Sequence, residues 1–262
     1  MRQVSCELEV AVNRSADLVL TVAPHSSYEV SETLDVRLDG TAVEVAERTD
    51  TFGTRRHCFS TGPGQLTVAY AATVSGHQTA LPQPGDDLTY RRPSRYCDSD
   101  RLVNVAQSLF DGSAPPREVV DTIRRWTLEQ IQYAPGATDH LDGATEVFLS
   151  RRGVCRDTAH LLTAFARAIG IPARVAAVYA PGLVPMDFHA VSEVLIDGTW
   201  WIVDGTGLAP RGSMVRIAAG RDAADVSFLE ALSGQIELVS MAVDARADVL
   251  PFDDGATAVA FS

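Results

Sequence analysis

Three residue types needed for nucleophilic acyl chemistry recur in one order along the chain: Cys155, His189 and Asp204. A thiolate can attack an acyl carbon and hold it as a thioester. An imidazole can exchange protons with the thiol and the leaving group, and a carboxylate can fix the imidazole tautomer and stabilise the imidazolium. Cys155 follows Gly153-Val154, and the apolar residues Leu162, Phe165, Ala166 and Ile169 recur behind it at helical spacing. Gly170 and Pro172 end that helix. Cys155 therefore falls in the first turn of a helix, where the partial positive charge of the N-terminus favours a thiolate. Arg152 and Arg156 add to that field. The same terminus offers a free N–H to an oxyanion.

His189 and Asp204 flank a hairpin signal. Phe188 to Ile196 and Thr199 to Val203 are rich in β-formers, and Asp197-Gly198 between them predicts a two-residue turn. Ile196 then pairs with Thr199, Val191 faces Asp204, and His189 faces Thr206. Side chains alternate faces, so His189, Val191 and Asp204 share one face. His189 and Asp204 become diagonal neighbours, roughly 7–8 Å apart along the backbone and within side-chain reach. A three-residue loop would send Asp204 to the other face.

The elements around these residues divide the chain. Residues 1–80 read as short strands of an antiparallel β-sandwich domain: Leu8, Val10 and Val12 alternate, as do Leu34, Val36 and Leu38, and Leu66, Val68 and Tyr70. Asp39-Gly40 marks a further hairpin, with Val43 and Val45 on its return. His25, His57 and His77 read as surface or loop residues. Residues 81–97 carry Pro82, Pro84, Gly85 and a charge cluster, and read as a linker. Residues 98–262 turn helical: Ser99 caps a helix with Leu102, Val103, Ala106 and Leu109. A second helix begins at Pro115-Pro116 with Val119, Val120, Ile123, Trp126 and Ile131 on one stripe. Ala173 to Ala180 reads as a strand. Residues 214–219 and 236–246 also read as strands, with a short helix near 226–232.

Composition narrows the function. The 262 residues carry a net charge of −12, and all 22 basic residues are arginine. This balance argues against nucleic acid and anionic membrane as partners. Without lysine there is no Schiff-base nucleophile and no phosphate-loop lysine. Cys6, Cys58, Cys97 and Cys155 form no C-x-x-C pair and no disulfide framework, and no H-E-x-x-H occurs, so neither a metal nor another cofactor is expected. No run is long enough to span a membrane, and the start lacks a signal-peptide run, which predicts a cytoplasmic protein.

The motifs Arg152-Gly153-Val154-Cys155-Arg156-Asp157, Ala168-Ile169-Gly170-Ile171-Pro172, Phe188-His189-Ala190 and Trp200 ahead of Asp204 resemble the transglutaminase-like core family, a branch of the papain-like cysteine enzymes. The resemblance implies an α+β, papain-like transglutaminase core, its Cys helix packed on an antiparallel sheet, preceded by an all-β sandwich. The β-rich first 80 residues resemble those of bacterial members. It implies a Cys155-His189-Asp204 triad acting on a protein or peptide amide by hydrolysis or acyl transfer. Two positions depart from the family pattern. Val191 stands where the family has Trp, which would reshape the wall beside the histidine, and Gly205 stands for Pro, which would loosen the end of the Asp strand. A catalytically weak peptide-binding module that keeps a remnant triad is the competing function. His160, about 500° around the helix from Cys155, is expected to pack rather than react. Gln132 or Tyr133 is expected to supply a second oxyanion donor, and Asp157 and Thr158 to support the helix start.

Overall fold

The computed structural model describes residues 1–76 and 81–261, so His77 lies outside the described residues. The chain opens with seven strands: β1 (Arg2–Arg14), β2 (Ala16–Leu20), β3 (Glu29–Leu38), β4 (Thr41–Ala42), β5 (Ala46–Thr49), β6 (Arg55–Thr61) and β7 (Gly64–Ser75). Five helices and two short strands follow: α1 (Asp86–Thr89), α2 (Val103–Leu109), α3 (Pro116–Gln130), β8 (Gln132–Tyr133), α4 (Ala144–Ser150), β9 (Arg152–Gly153) and α5 (Cys155–Ala168). The chain then forms β10 (Ala173–Tyr179), β11 (Phe188–Ile196), β12 (Thr199–Val203), β13 (Val215–Gly220), α6 (Ala223–Val226), β14 (Leu229–Ala231) and β15 (Gln235–Ala247).

Period-two patterning builds the N-terminal region. Val4, Cys6, Leu8, Val10 and Val12 of β1 are buried, as are Leu66, Val68, Tyr70 and Val74 of β7. Two antiparallel sheets result, ordered β15-β1-β7-β3-β4 and β14-β2-β6-β5, and their inward side chains share one hydrophobic cluster. The Asp39-Gly40 turn closes β3 on β4 with Asp39 φ at 48° and Gly40 φ at 80°, the sign pattern of a type I′ hairpin. The return strand ends at Ala42, and the chain then crosses to β5 of the other sheet instead of continuing through Val45.

Distant residues complete both sheets. β15 pairs along the length of β1, and β14 pairs with β2, so residues 229–247 lie within the N-terminal β region rather than beside the helices. The short helix expected near 226–232 is α6 at 223–226 instead. Asp222 caps it, accepting from the Ala224 N–H at 3.0 Å, and pairing with β2 makes 229–231 a strand.

The helical half packs on a four-stranded antiparallel sheet ordered β12-β11-β10-β13. Ser192 of β11 ties α5 to this sheet, donating to the Ala159 carbonyl at 3.0 Å and meeting the Thr163 hydroxyl at 2.9 Å. α3 begins with Pro116 at its first position and buries Val119, Val120 and Ile123. The helix expected from Ser99 is split into a 3₁₀ turn over Ser99–Arg101 and then α2. Gly170, at φ 85°, ends α5 as the Ile171 N–H reaches back to the Ala166 carbonyl. Residues 81–97 are largely exposed but are anchored to the rest of the chain at a few points. Tyr90 is buried edge-on against Trp200, Cys97 is fully buried, and the Arg167 guanidinium donates to the Arg92 carbonyl at 3.2 Å.

His25 and His57, expected in surface or loop positions, are both buried, His25 in the loop after β2 and His57 within β6. His25 bonds to the Ser27 hydroxyl at 2.8 Å and to the Phe52 carbonyl, and His57 approaches Glu47. Buried polar rings need such partners, and these loops and strands supply them. Among the described residues no helix is long and apolar enough to cross a membrane, and the four cysteines are free thiols.

Candidate active site

Cys155 is the first residue of α5 and is half-buried. The turn before it is tightly built. The Asp157 carboxylate accepts from the Val154 N–H at 2.9 Å and the Thr138 hydroxyl at 2.6 Å, and it pairs with the Arg156 guanidinium at 2.8 Å. A Cβ on Gly153 would come within 2.6 Å of the Asp157 Cβ, which is why the residue two before the cysteine is glycine. Thr158 donates to the Cys155 carbonyl at 2.9 Å. Asp157 thus satisfies an orphan N–H and places negative charge at the helix N-terminus.

A parallel pair brings a tyrosine to this turn. The Gln132 N–H donates to the Arg151 carbonyl at 2.9 Å and the Ala134 N–H to that of Gly153 at 3.0 Å, so Tyr133 lies opposite Gly153. Burial, then charge interaction with Cys155 and nearby carboxylates, raises the Tyr133 pKa, while the Cys155 backbone beside the phenol opposes them. Gln132 points into an exposed position.

The hairpin has the register that its turn predicts. Ile196 pairs with Thr199 and Ser192 with Val203, and Asp197 and Gly198 carry φ of 52° and 72°. His189 and Asp204 both extend beyond the last paired residues, and His189 Nε2 lies 3.1 Å from Asp204 Oδ2. Both side chains are almost entirely buried. Burial alone would lower the His189 pKa, but the charge and hydrogen bond of Asp204, then contact with Cys155, push it up to about 10. The imidazolium is therefore the favoured form at neutral pH. Burial raises the Asp204 pKa, yet the His189 charge and hydrogen bond outweigh it and hold the carboxyl below its ordinary range. Its other oxygen accepts from the Thr206 N–H at 2.7 Å and the Thr206 hydroxyl at 2.8 Å. These two bonds orient the carboxylate, and the Asp-x-Thr spacing is the signal that marks them in the sequence.

The two departures have definite places. Val191 does not border the cavity beside Cys155. It is buried among Ala176, Val178 and Ile202 in a cluster closed by Met214 and Phe261. The smaller side chain therefore changes the packing on the sheet face it shares with His189 and not the cavity that opens at Cys155. Gly205 does not leave the strand end loose, because an ideal Cβ there would already meet Thr127 Cγ2 at 3.1 Å and Thr158 Cβ at 3.4 Å. Close packing against α3 and α5 fixes the backbone that follows Asp204.

His160 is fully buried, stacked on Tyr96 at 5.3 Å, with its Nε2 accepting from the Ala223 N–H at 3.1 Å. Burial, opposed by the charge of Asp222, lowers its pKa to about 4, so it is a neutral packing residue. Sequence reasoning missed the charges beneath the hairpin. Glu193 is fully buried between Arg174, at 2.8 Å, and Arg216. Only the pairing of β11 with β10, and of β10 with β13, brings these three together.

A family model described as "Transglutaminase-like superfamily" matches residues 103–205, the span that holds all three residues. The solved structure described as a "Putative Cysteine Protease from Cytophaga hutchinsonii" is similar over 99 % of this chain and 95 % of its own, at 30 % identity and a TM-score of 0.88. This chain belongs to the transglutaminase-like superfamily. The likeness to the C. hutchinsonii protein spans nearly the whole chain and so includes the N-terminal β sheets. A curated relative, uncharacterized protein ML0607 of Mycobacterium leprae, is 27 % identical over 153 residues, 54 % of this chain. The match spans 53 % of that relative's length. The periplasmic domain of TgpA from Pseudomonas aeruginosa is a more distant likeness, at 21 % identity and a TM-score of 0.42 over 75 % of this chain and 91 % of its own.

Proposed function

We propose that this transglutaminase-like protein is a thiol enzyme that cleaves or transfers the acyl group of a protein or peptide amide. Cys155 is the nucleophile, His189 the proton carrier and Asp204 its partner. The thiolate forms a C–S bond with the carbonyl carbon, and the carbonyl π electrons move to oxygen. The Cys155 N–H and the Tyr133 hydroxyl, which lie side by side at this turn, are the donors assigned to that oxyanion. As the oxyanion collapses, the C–N bond breaks and the His189 imidazolium gives its proton to the departing amine. Water or an amine then attacks the thioester, giving its proton back to His189, and Cys155 leaves as the thiolate. Water makes the reaction a hydrolysis, and an amine makes it a transfer. Residues 98–262, less the β14 and β15 segment, carry this chemistry.

The observation that supports the reading most is the buried 3.1 Å pair of His189 and Asp204, in reach of a cysteine that opens a helix. The test is the pH dependence of alkylation at Cys155, with His189→Ala as control. Rapid alkylation well below pH 8, slowed by the control, supports the enzyme. A rate that titrates near ~8.5, the free-thiol value, and ignores the control points to the peptide-binding module. With a glutamine-containing peptide, release of ammonia with and without a primary amine then separates transfer from hydrolysis.

A further inference from the structure

A cavity of about 500 Å³ opens beside Cys155 and His189, within the size range of ligand pockets. Its floor is the sheet at Ala177 of β10 and Ala190 of β11, which lie directly opposite one another. Alanines at both positions make the hollow, since larger side chains there would fill it. One wall is the stacked pair Phe188 and Phe228, with ring centroids 5.1 Å apart. Another is Tyr96, whose ring is backed by His160. Ala224 of α6 also borders the space.

Charge is confined to a few groups. Arg156 borders the cavity but is already paired with Asp157 at 2.8 Å, His140 borders it 3.0 Å from Asp139, and Glu230 makes no ion pair among the described residues. Asp204 does not border this cavity. The space meets the site at Cys155 and at His189. During acyl transfer the acyl group stays on the sulfur, and the amine departs past the imidazole.

We infer that this cavity holds an apolar side chain, branched or aromatic, on the acyl side of the reacting carbonyl and within two residues of it. The inference rests on the reading of Cys155 as the nucleophile. The walls bury such a side chain against aromatic and aliphatic surface, and no unpaired basic group stands inside to select an acid. The N-terminal β region takes part in this selection. The Thr21 N–H donates to the Phe228 carbonyl at 2.9 Å, and β14 behind Phe228 is paired to β2. The β region thus holds one wall of the pocket in place.

The test uses N-acetyl dipeptidyl fluoromethyl ketones with Leu, Phe, Ala, Lys or Glu at either position. The Cys155 thiolate forms a C–S bond to the methylene carbon and fluoride leaves. Intact-mass spectrometry gives second-order rate constants, and iodoacetamide reports the thiol without a side chain. The expected result is Leu or Phe at least tenfold faster than Ala, Lys and Glu at one position. Ala224→Leu, which narrows the cavity, should reduce the Leu-to-Ala ratio at least fivefold. Phe228→Ala, which removes a wall, should lower the same ratio. A flat series, or one led by Lys through Glu230 or by Glu through Arg156, overturns the inference while fast iodoacetamide labelling keeps the nucleophile. Slow labelling that ignores His189→Ala overturns both.

Discussion

The Asp157 carboxylate closes on the Val154 N–H at 2.9 Å, one residue ahead of the cysteine, and Gly153 leaves room for it by lacking a Cβ. Gly153→Ala would press a methyl into the Asp157 Cβ at 2.6 Å. Overpacking of this kind costs about 1–3 kcal/mol. The variant should lower the chemical-denaturation midpoint and slow Cys155 alkylation. An unchanged midpoint and an unchanged rate would show that the turn does not need the glycine.

Cysteine reactivity should set Cys155 apart from the two buried thiols, Cys6 and Cys97. Burial pushes the Cys6 thiol up to about 11 and the Cys97 thiol up to about 12, which leaves both protonated at neutral pH. Peptide mapping after brief iodoacetamide treatment at pH 7 should place the label on Cys155 at least tenfold above Cys6 and Cys97. Comparable labelling of all three would remove the case for an activated thiol.

Asp204→Asn keeps the shape but removes the charge that holds His189 protonated. Acyl-transfer or hydrolysis rates should fall about 10²–10⁴-fold. The pH profile of Cys155 alkylation should change with them, because the His189 pKa drops. A fallen rate with an unmoved profile would assign Asp204 a purely structural role.

The same pair couples folding to pH. A histidine raised from 6.5 to about 10 stabilises the fold fully below pH 6.5 and loses that contribution as pH rises toward 10. Asp204, held below its ordinary 3.8, contributes above that value and loses the contribution as pH falls through its folded pKa. Wild type should therefore lose stability relative to His189→Ala between pH 6.5 and 10. Parallel stability curves for the two proteins would contradict the coupling.

Among the described residues, Glu193 alone bonds to both Arg174 and Arg216 in the buried layer under the hairpin. Glu193→Gln leaves two guanidinium groups short of their counter-charge. Breaking a buried pair on one side costs about 3–5 kcal/mol, so a large loss in denaturation midpoint is expected. A loss under 1 kcal/mol, about the worth of a surface pair, would mean that water reaches these arginines.

Local rules in the sequence determined the start of α5 at Cys155, its end at Gly170, and the hairpin that sets His189 near Asp204. Capping, helical spacing and the Asp-Gly turn act over a few residues, so they can be read without tertiary contacts. The tertiary structure decided the rest. It returned 229–247 to the N-terminal sheets, because a strand edge finds its partner by register and hydrophobic match over any sequence distance. It buried Val191 among Ala176, Val178 and Ile202, placed Tyr133 beside Cys155 through a two-residue parallel pairing, and gathered Glu193 with its arginines from three strands. The pocket walls come from Tyr96, β10, β11 and residues 223–230, and only packing brings segments so far apart around one thiol.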